Sequence, residues 1–110
     1  MDLIDLTNRI MLTARQIDAE KRELEKLARD KATAEKNYRV ALMQTIFQLR
    51  TEGKQISIIS DLARGMVAEF KFTRDLNDSL FTAKRESLGA SLGVLTALQS
   101  ILRVQKDIEG

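Results

Sequence analysis

Apolar residues recur at intervals of three and four along most of the chain, the spacing of helices that pack against other helices. Two stretches follow this pattern, at about residues 3–51 and about 66–108, and it stops between them, at residues 52–65. We therefore predict an all-α protein: two long antiparallel helices forming a helical hairpin, or coiled coil, joined by a short structured connection. The whole chain, residues 1–110, is expected to form a single domain.

The first helix follows a heptad register that begins at Leu3. Its two inward-facing series are Leu3, Ile10, Ile17, Leu24, Lys31, Tyr38, Thr45 and Leu6, Thr13, Glu20, Leu27, Ala34, Ala41, Gln48. Near the end of the helix, Leu42, Ile46 and Leu49 carry the apolar face. The other positions are largely charged and are interpreted as a solvated surface.

The second helix is apolar on more than one side. A register from Met66 gives Thr73, Leu80, Ser87, Val94, Ile101 and Ile108, while Leu88, Leu95 and Leu102 form a second column, and residues 87–102 carry no charge. One neighbouring helix cannot cover such a surface, so we predict a homodimer or higher oligomer, most simply a four-helix bundle of two hairpins. Gly89 and Gly93 mark a close approach of backbones. The candidate interface is Leu88, Gly89, Gly93, Leu95, Ala97 and Ile101. The uncharged run is shorter than a membrane span, and no membrane association is expected.

The connection contains residues that end and begin helices. Gly53 is expected to end the first helix, and Ser57 or Ser60 to begin a short helical turn that Gly65 stops. Alternatively, the second helix starts at Ser60. The cluster of Ile56, Ile58, Ile59 and Leu62 either closes the end of the bundle or forms an exposed tip that binds a partner. The same segment is similar to the first helix of a helix-turn-helix unit, but no clear turn follows it.

Composition limits the chemistry. The chain has neither cysteine nor histidine, which argues against thiol and zinc chemistry and excludes the usual nucleophilic triads. We predict no enzyme activity, no cofactor, no metal site and a cytoplasmic location. The net charge is +2, but residues 36–74 contain seven basic and three acidic side chains, or +4. The connection should therefore form a basic tip, with candidate binding residues Arg50, Lys54, Ile58, Ile59, Arg64 and Lys71.

Four segments form a recognisable combination: YRVAL at residues 38–42, LRTEG at 49–53, DLARG at 61–65 and ALQSIL at 97–102. Together they resemble a group of small, uncharacterised coiled-coil proteins of bacteriophages and prophages of Gram-positive bacteria. The resemblance implies a phage-encoded accessory protein, acting in the host cytoplasm, and it implies no catalytic residue. We expect a helical oligomer that binds and modulates a replication, recombination or host-defence protein. The alternative is a nucleic-acid or nucleotide binder that uses the basic tip.

Overall fold

The structure, a computed structural model, describes the backbone of residues 2–109 and the side chains of residues 2–108. It contains three helices, α1 (Leu3–Thr51), α2 (Ile56–Met66) and α3 (Ala68–Glu109), which confirms the all-α hairpin. The expected connection differs in detail, because most of it forms α2 and the second long helix starts at Ala68. At the start of α1, the Asp2 carboxylate accepts a hydrogen bond from the Asp5 backbone N–H at 2.9 Å, which lowers the pKa of Asp2.

The chain divides into two compact units. Unit 1 consists of Met1–Glu25 and Thr82–Gly110. Within it, Ser91 of α3 donates a hydrogen bond to Glu20 of α1 at 3.1 Å, and Lys84 pairs with Glu23 at 2.6 Å. The residue number rises on one helix as it falls on the other, so these helical segments run antiparallel.

Unit 2 consists of Lys26–Phe81 and contains α2 with the adjoining parts of α1 and α3. Lys31 pairs with Asp78 at 3.0 Å, and Arg74 approaches Glu35 at 3.8 Å, which is again an antiparallel arrangement. Lys31 also lies 4.8 Å from the centre of the Phe81 ring, and the Arg74 guanidinium lies 4.3 Å from the centre of the Tyr38 ring. The polar ends of long side chains therefore complete the packing in this part of the hairpin.

The predicted register of α1 is confirmed. Every position of its two series is buried or half-buried except Gln48. The most enclosed include Leu6, Ile17 and Ala34. Polar members such as Glu20 and Thr13 keep this register because their side chains form hydrogen bonds within unit 1.

Of the two apolar columns predicted for the second helix, the column of Leu88, Leu95 and Leu102 packs inside the hairpin, and the register from Met66 does not. Met66, Leu80, Val94, Ile101 and Ile108 are all exposed. The enclosed residues include the second column, with polar side chains between its members. This packed series, buried or half-buried throughout, is Arg74, Asn77, Phe81, Lys84, Leu88, Ser91, Leu95, Leu98, Leu102 and Gln105. Spacing in the sequence predicts its leucines Leu88, Leu95 and Leu102 but not its polar members. Of these, Lys84 and Ser91 have partners on α1.

Gly53 ends α1 as predicted. Its φ is +78°, its N–H donates to the Arg50 carbonyl at 3.0 Å, and the Lys54 N–H donates to the Leu49 carbonyl at 3.1 Å. This is the Schellman arrangement, which favours glycine because only glycine adopts positive φ without steric cost. The predicted start and stop of the next turn are wrong, because Gln55 precedes α2 without a side-chain cap and Gly65 lies inside the helix.

A small apolar core joins α2 to α1. Ile59 and Ala63 are buried with Leu49, and Leu42 and Ile46 pack against them. One residue, Val67, separates α2 from α3, and its N–H donates to the Ala63 carbonyl. A helix-turn-helix unit needs a turn of about three or four residues between its helices, so α2 and α3 do not form one.

Candidate partner-binding surface

The surface of α2 carries an apolar row beside the face that packs on α1. Ile58, Leu62 and Met66 follow one another at intervals of four residues, so they lie along one side of the helix. Their side chains are 43%, 41% and 57% exposed, whereas neighbouring Ile59 is 5% exposed. We call Ile58, Leu62 and Met66 the α2 stripe. Ile59 packs against α1 and holds α2 in place, so the three stripe residues have fixed positions relative to α1.

Two shallow grooves of unit 2 contain Phe70, which is 45% exposed and follows Met66 by four residues. One has a volume of about 200 Å³ and is also lined by Ala34, Asn37, Glu69 and Thr73. The other, of about 230 Å³, is lined by Lys36, Asn37, Val40, Ala41, Gln44 and Phe70. Aromatic residues are enriched at protein interfaces, which makes Phe70 a candidate contact residue.

The basic residues of the predicted tip are exposed. Arg50, Lys54, Arg64 and Lys71 form no ion pair with any residue that the structure describes. They are therefore available to contact an anionic group on a partner.

Two other basic residues counted in the tip are already paired. Arg39 contacts Glu35 at 2.7 Å, and Arg74 contacts Asp75 at 3.0 Å, a hydrogen bond that raises the pKa of Arg74. Glu35 and Asp75 lie one residue outside the range used for the charge count. Residues 35–75 contain seven basic and five acidic side chains, so the charge of this segment is +2 and not +4. The tip is less basic than the sequence count implied.

The four residues of the predicted apolar cluster differ in how far they are exposed to solvent. Ile59 closes the core between α1 and α2 and is enclosed, so it cannot contact a partner as the candidate list required. Ile56 is 85% exposed, and Ile58 faces solvent. Leu62 and Met66 belong with Ile58, a grouping that the interval of four residues could have revealed once α2 was recognised as one continuous helix.

The residues predicted to mediate self-association lie on different sides of α3. Leu88 and Leu95 belong to the packed series, whereas Ala97 and Ile101 are exposed. A Cβ added at Gly89 or Gly93 would meet no atom within 4 Å, so the expected close approach is not made within the chain. A role of these residues between chains stays a prediction.

Acidic side chains do not converge on one point in the described residues, where no group of three or more could hold a metal ion. Glu20, which is 7% exposed, accepts hydrogen bonds from Gln16 and Ser91 at 3.1 Å. These two neutral donors satisfy its carboxylate and fix the side chain between α1 and α3.

One helix in the described part of the chain is long and apolar enough to cross a membrane, by length and composition only. This segment, Ala68–Ile108, contains a window with a mean hydropathy of 1.3, of which 11% is buried. Core helices of soluble proteins pass the same test, although they are mostly buried. The window is therefore an apolar and largely exposed part of α3.

No protein-family model matches the chain, and neither the curated proteins nor the solved structures contain a significant match. The resemblance to phage coiled-coil proteins accordingly stays a prediction.

Proposed function

We propose that this chain is a non-catalytic binding protein that modulates another protein through the α2 stripe. The observation that carries the proposal is the exposure of Ile58, Leu62 and Met66 on a helix whose adjacent face is fixed to α1. Isolated exposed apolar residues are ordinary, but a row at helical spacing is the form in which helices present anchors to an apolar groove.

The chemistry around the stripe indicates the kind of partner. Arg64 lies in α2 itself, and Lys71 follows early in α3. Methionine, aromatic residues and arginine are enriched at protein interfaces. The partner expected is therefore a protein with an apolar groove bordered by acidic side chains. In the phage-accessory setting implied by the resemblance, it would be a replication, recombination or host-defence protein.

The second candidate function is binding of a single-stranded nucleic acid. It is favoured by the exposed rings of Phe47 and Phe72, 73% and 64% exposed, in the same unit as the unpaired basic residues. Bases stack on aromatic rings, and basic side chains contact phosphates. It ranks second because the segment carries only a modest positive charge and the α2 stripe has no use in such a complex.

Two methionine substitutions test the protein-binding proposal. Tagged wild-type protein, Met66→Glu and Met43→Glu would be used to capture proteins from the organism that encodes the chain. Met43 is 73% exposed on α1 and lies outside the stripe, so it provides a matched control. We expect Met66→Glu to reduce capture of the main partner at least about tenfold, since a buried unpaired charge costs more than the 1.4 kcal/mol that a tenfold change requires.

Equal capture by wild-type protein and Met66→Glu, measured by quantitative mass spectrometry, would refute the proposal. An equal loss in both variants would also refute it, because the stripe would then have no specific role. Fluorescence anisotropy with a labelled single-stranded oligonucleotide at low salt tests the second function. Binding that weakens in Lys54→Ala and Arg64→Ala, while Met66→Glu binds normally, would favour the nucleic-acid function instead.

A further inference from the structure

The part of α3 in unit 1 carries a second row of residues at alternating intervals of four and three. The row contains no charged residue, and we call it the outer seam. It consists of Ala83, Ser87, Ala90, Val94, Ala97, Ile101, Val104 and Ile108. This is the spacing of a coiled-coil seam. The packed series of the same helix has the same spacing, so α3 presents two seams.

The outer seam faces solvent in the single chain. Val94, Ile101, Val104 and Ile108 are 48%, 49%, 56% and 80% exposed. It is also the more apolar of the two seams, since the packed series contains Lys84, Ser91 and Gln105 in the same unit. With 3.6 residues per turn, the two seams lie about 100° apart around α3. A helix in a four-helix bundle has neighbours on two adjacent sides, and two seams at this angle allow one contact surface for each neighbour.

The exposed area of the chain is large enough to supply an interface. The accessible surface is 8089 Å², whereas a folded monomer of 12.5 kDa is expected to expose about 6,200 Å². The excess of about 1,900 Å² is more than twice the roughly 800 Å² that each partner buries in a standard interface.

Residue size along the outer seam gives it a direction. Its first three members are small, Ala83, Ser87 and Ala90. Its last three are large and branched, Ile101, Val104 and Ile108. The last three form a groove of about 500 Å³ together with Ser100 and Gln105. Ile101, Val104, Gln105 and Ile108 have the spacing of the four residues that surround a side chain of a facing helix in a coiled coil.

From these observations we propose that the outer seam binds the same seam of a second copy of the chain, with the two α3 helices antiparallel about a twofold axis between Val94 and Ala97. In this register, each layer joins a small residue to a larger one. The pairs between the two copies are Ala83 with Ile108, Ser87 with Val104, Ala90 with Ile101, and Val94 with Ala97, and the twofold axis repeats each of them once. Facing positions that alternate in size fill space evenly, and a twofold interface uses one surface on both copies.

The two other arrangements fit the seam less well. A parallel pair would set Ala83 against Ala83 and Ile108 against Ile108, leaving a void at one end and crowding at the other. Binding to a lipid surface would explain why the outer seam is apolar, but it would not explain why its side chains are small toward Ala83 and large toward Ile108. The inference goes beyond the proposed function, which concerns binding of another protein, and specifies a surface for the self-association predicted from the sequence. It uses unit 1, whereas the α2 stripe lies in unit 2, so each proposal can fail alone.

Disulfide crosslinking tests the antiparallel register, because the natural chain has no cysteine. Positions 87 and 104 are separated by about 26 Å along one helix. A disulfide requires Cα atoms within about 7 Å, so these two positions cannot be bridged within one chain. The Ser87→Cys/Val104→Cys double variant should form a covalent dimer on mild oxidation. The two single variants should not, because each cysteine then faces a native residue.

Gly89→Cys/Lys106→Cys is the matched control, with the same separation at exposed positions outside the outer seam. Crosslinking of the Ser87→Cys/Val104→Cys variant alone supports the proposal. Efficient crosslinking of either single variant would establish a parallel pair and overturn it. Crosslinking of the control to the same extent would overturn it as well.

Light scattering and vesicle flotation complete the test with the cysteine-free protein. We expect a dimer at micromolar concentration, and we expect Ile101→Lys to weaken association at least about tenfold while helicity is unchanged. A monomer at these concentrations would overturn the proposal. Flotation of the wild-type chain with vesicles of phosphatidylcholine and phosphatidylglycerol, abolished by Ile101→Lys, would assign the outer seam to a membrane instead. Capture of a partner through Met66 can be measured in the Ile101→Lys variant, which separates the two proposals.

Discussion

At the scale of single residues, polar side chains determine which face of α3 is enclosed. Ser91 donates to the buried Glu20, and Lys84 pairs with Glu23, so two positions that appear unsuitable for a packed face are satisfied there. A polar group can be enclosed at low cost when it has a hydrogen-bond partner. Hydrophobicity alone therefore ranks the faces of this helix incorrectly.

The Glu23–Lys84 pair predicts a dependence of stability on pH. The hydrogen bond from Lys84 lowers the pKa of Glu23, and the same bond raises the pKa of Lys84. The Glu23 contribution is present above the pKa that this carboxyl has in the unfolded chain, and it is lost as the pH falls through the lowered value. The Lys84 contribution is present below its unfolded pKa and is lost as the pH rises through the raised value.

Thermal melts between about pH 3 and about pH 7 check the acidic side. Glu23→Gln should lose less stability on acidification than the wild type, and Glu25→Gln, at an exposed position without an ion pair among the described residues, should behave like the wild type. The effect is expected to be small because the pair is at the surface. Identical pH profiles for the wild type and Glu23→Gln would contradict the assignment.

At the scale of elements, two glycines near the two ends of α2 have different roles. Gly53 is the positive-φ residue that ends α1, and Gly65 lies in the last turn of α2. Neither would place a new Cβ within 4 Å of another atom. The effect of alanine at each position therefore depends on backbone conformation and not on packing.

We predict opposite effects for the two substitutions. Gly53→Ala should destabilise the chain by about 1 kcal/mol, because alanine is strained at this φ. Gly65→Ala should stabilise it by up to about 1 kcal/mol, because alanine favours the helix and restricts the unfolded chain. Urea unfolding followed by circular dichroism measures both changes. Effects of the same sign would mean that α1 does not end at Gly53 or that Gly65 is not part of α2.

At the scale of the whole molecule, an apolar surface remains after the hairpin has formed. The α2 stripe and the outer seam have different compositions. The stripe is short and has basic residues nearby, whereas the outer seam is long and uncharged. The first suits a groove on another protein, and the second suits a copy of itself. The two proposals therefore place assembly and partner binding in separate units of the chain.

If the chain is a dimer, its melting temperature should rise with protein concentration, since association stabilises the folded state by mass action. Melts over a hundredfold concentration range check this. Ile101→Lys should remove the dependence, and Leu92→Lys, at a 43% exposed position of α3 outside the outer seam, should keep it. A melting temperature that is independent of concentration in the wild type would contradict the dimer.

The sequence determined the helical class, the register of α1 and the end of α1 at Gly53. The helical class and the register depend on the local spacing of apolar residues, and the end of α1 depends on the conformational freedom of one glycine. These are properties of the chain itself. It also indicated that α3 is apolar on two sides. The α2 stripe was only partly predictable, because Leu62 and Met66 align with Ile58 only if residues 56–66 form one helix.

Tertiary structure decided which apolar column of α3 lies inside the hairpin and which isoleucine closes the core. The two seams of α3 have the same spacing, so periodicity cannot choose between them. The choice depends on partners that only folding brings together, namely Glu20 with Ser91, Glu23 with Lys84, and Glu35 with Arg74. Their positions on different helices are far apart in sequence, and for that reason no local pattern contains them.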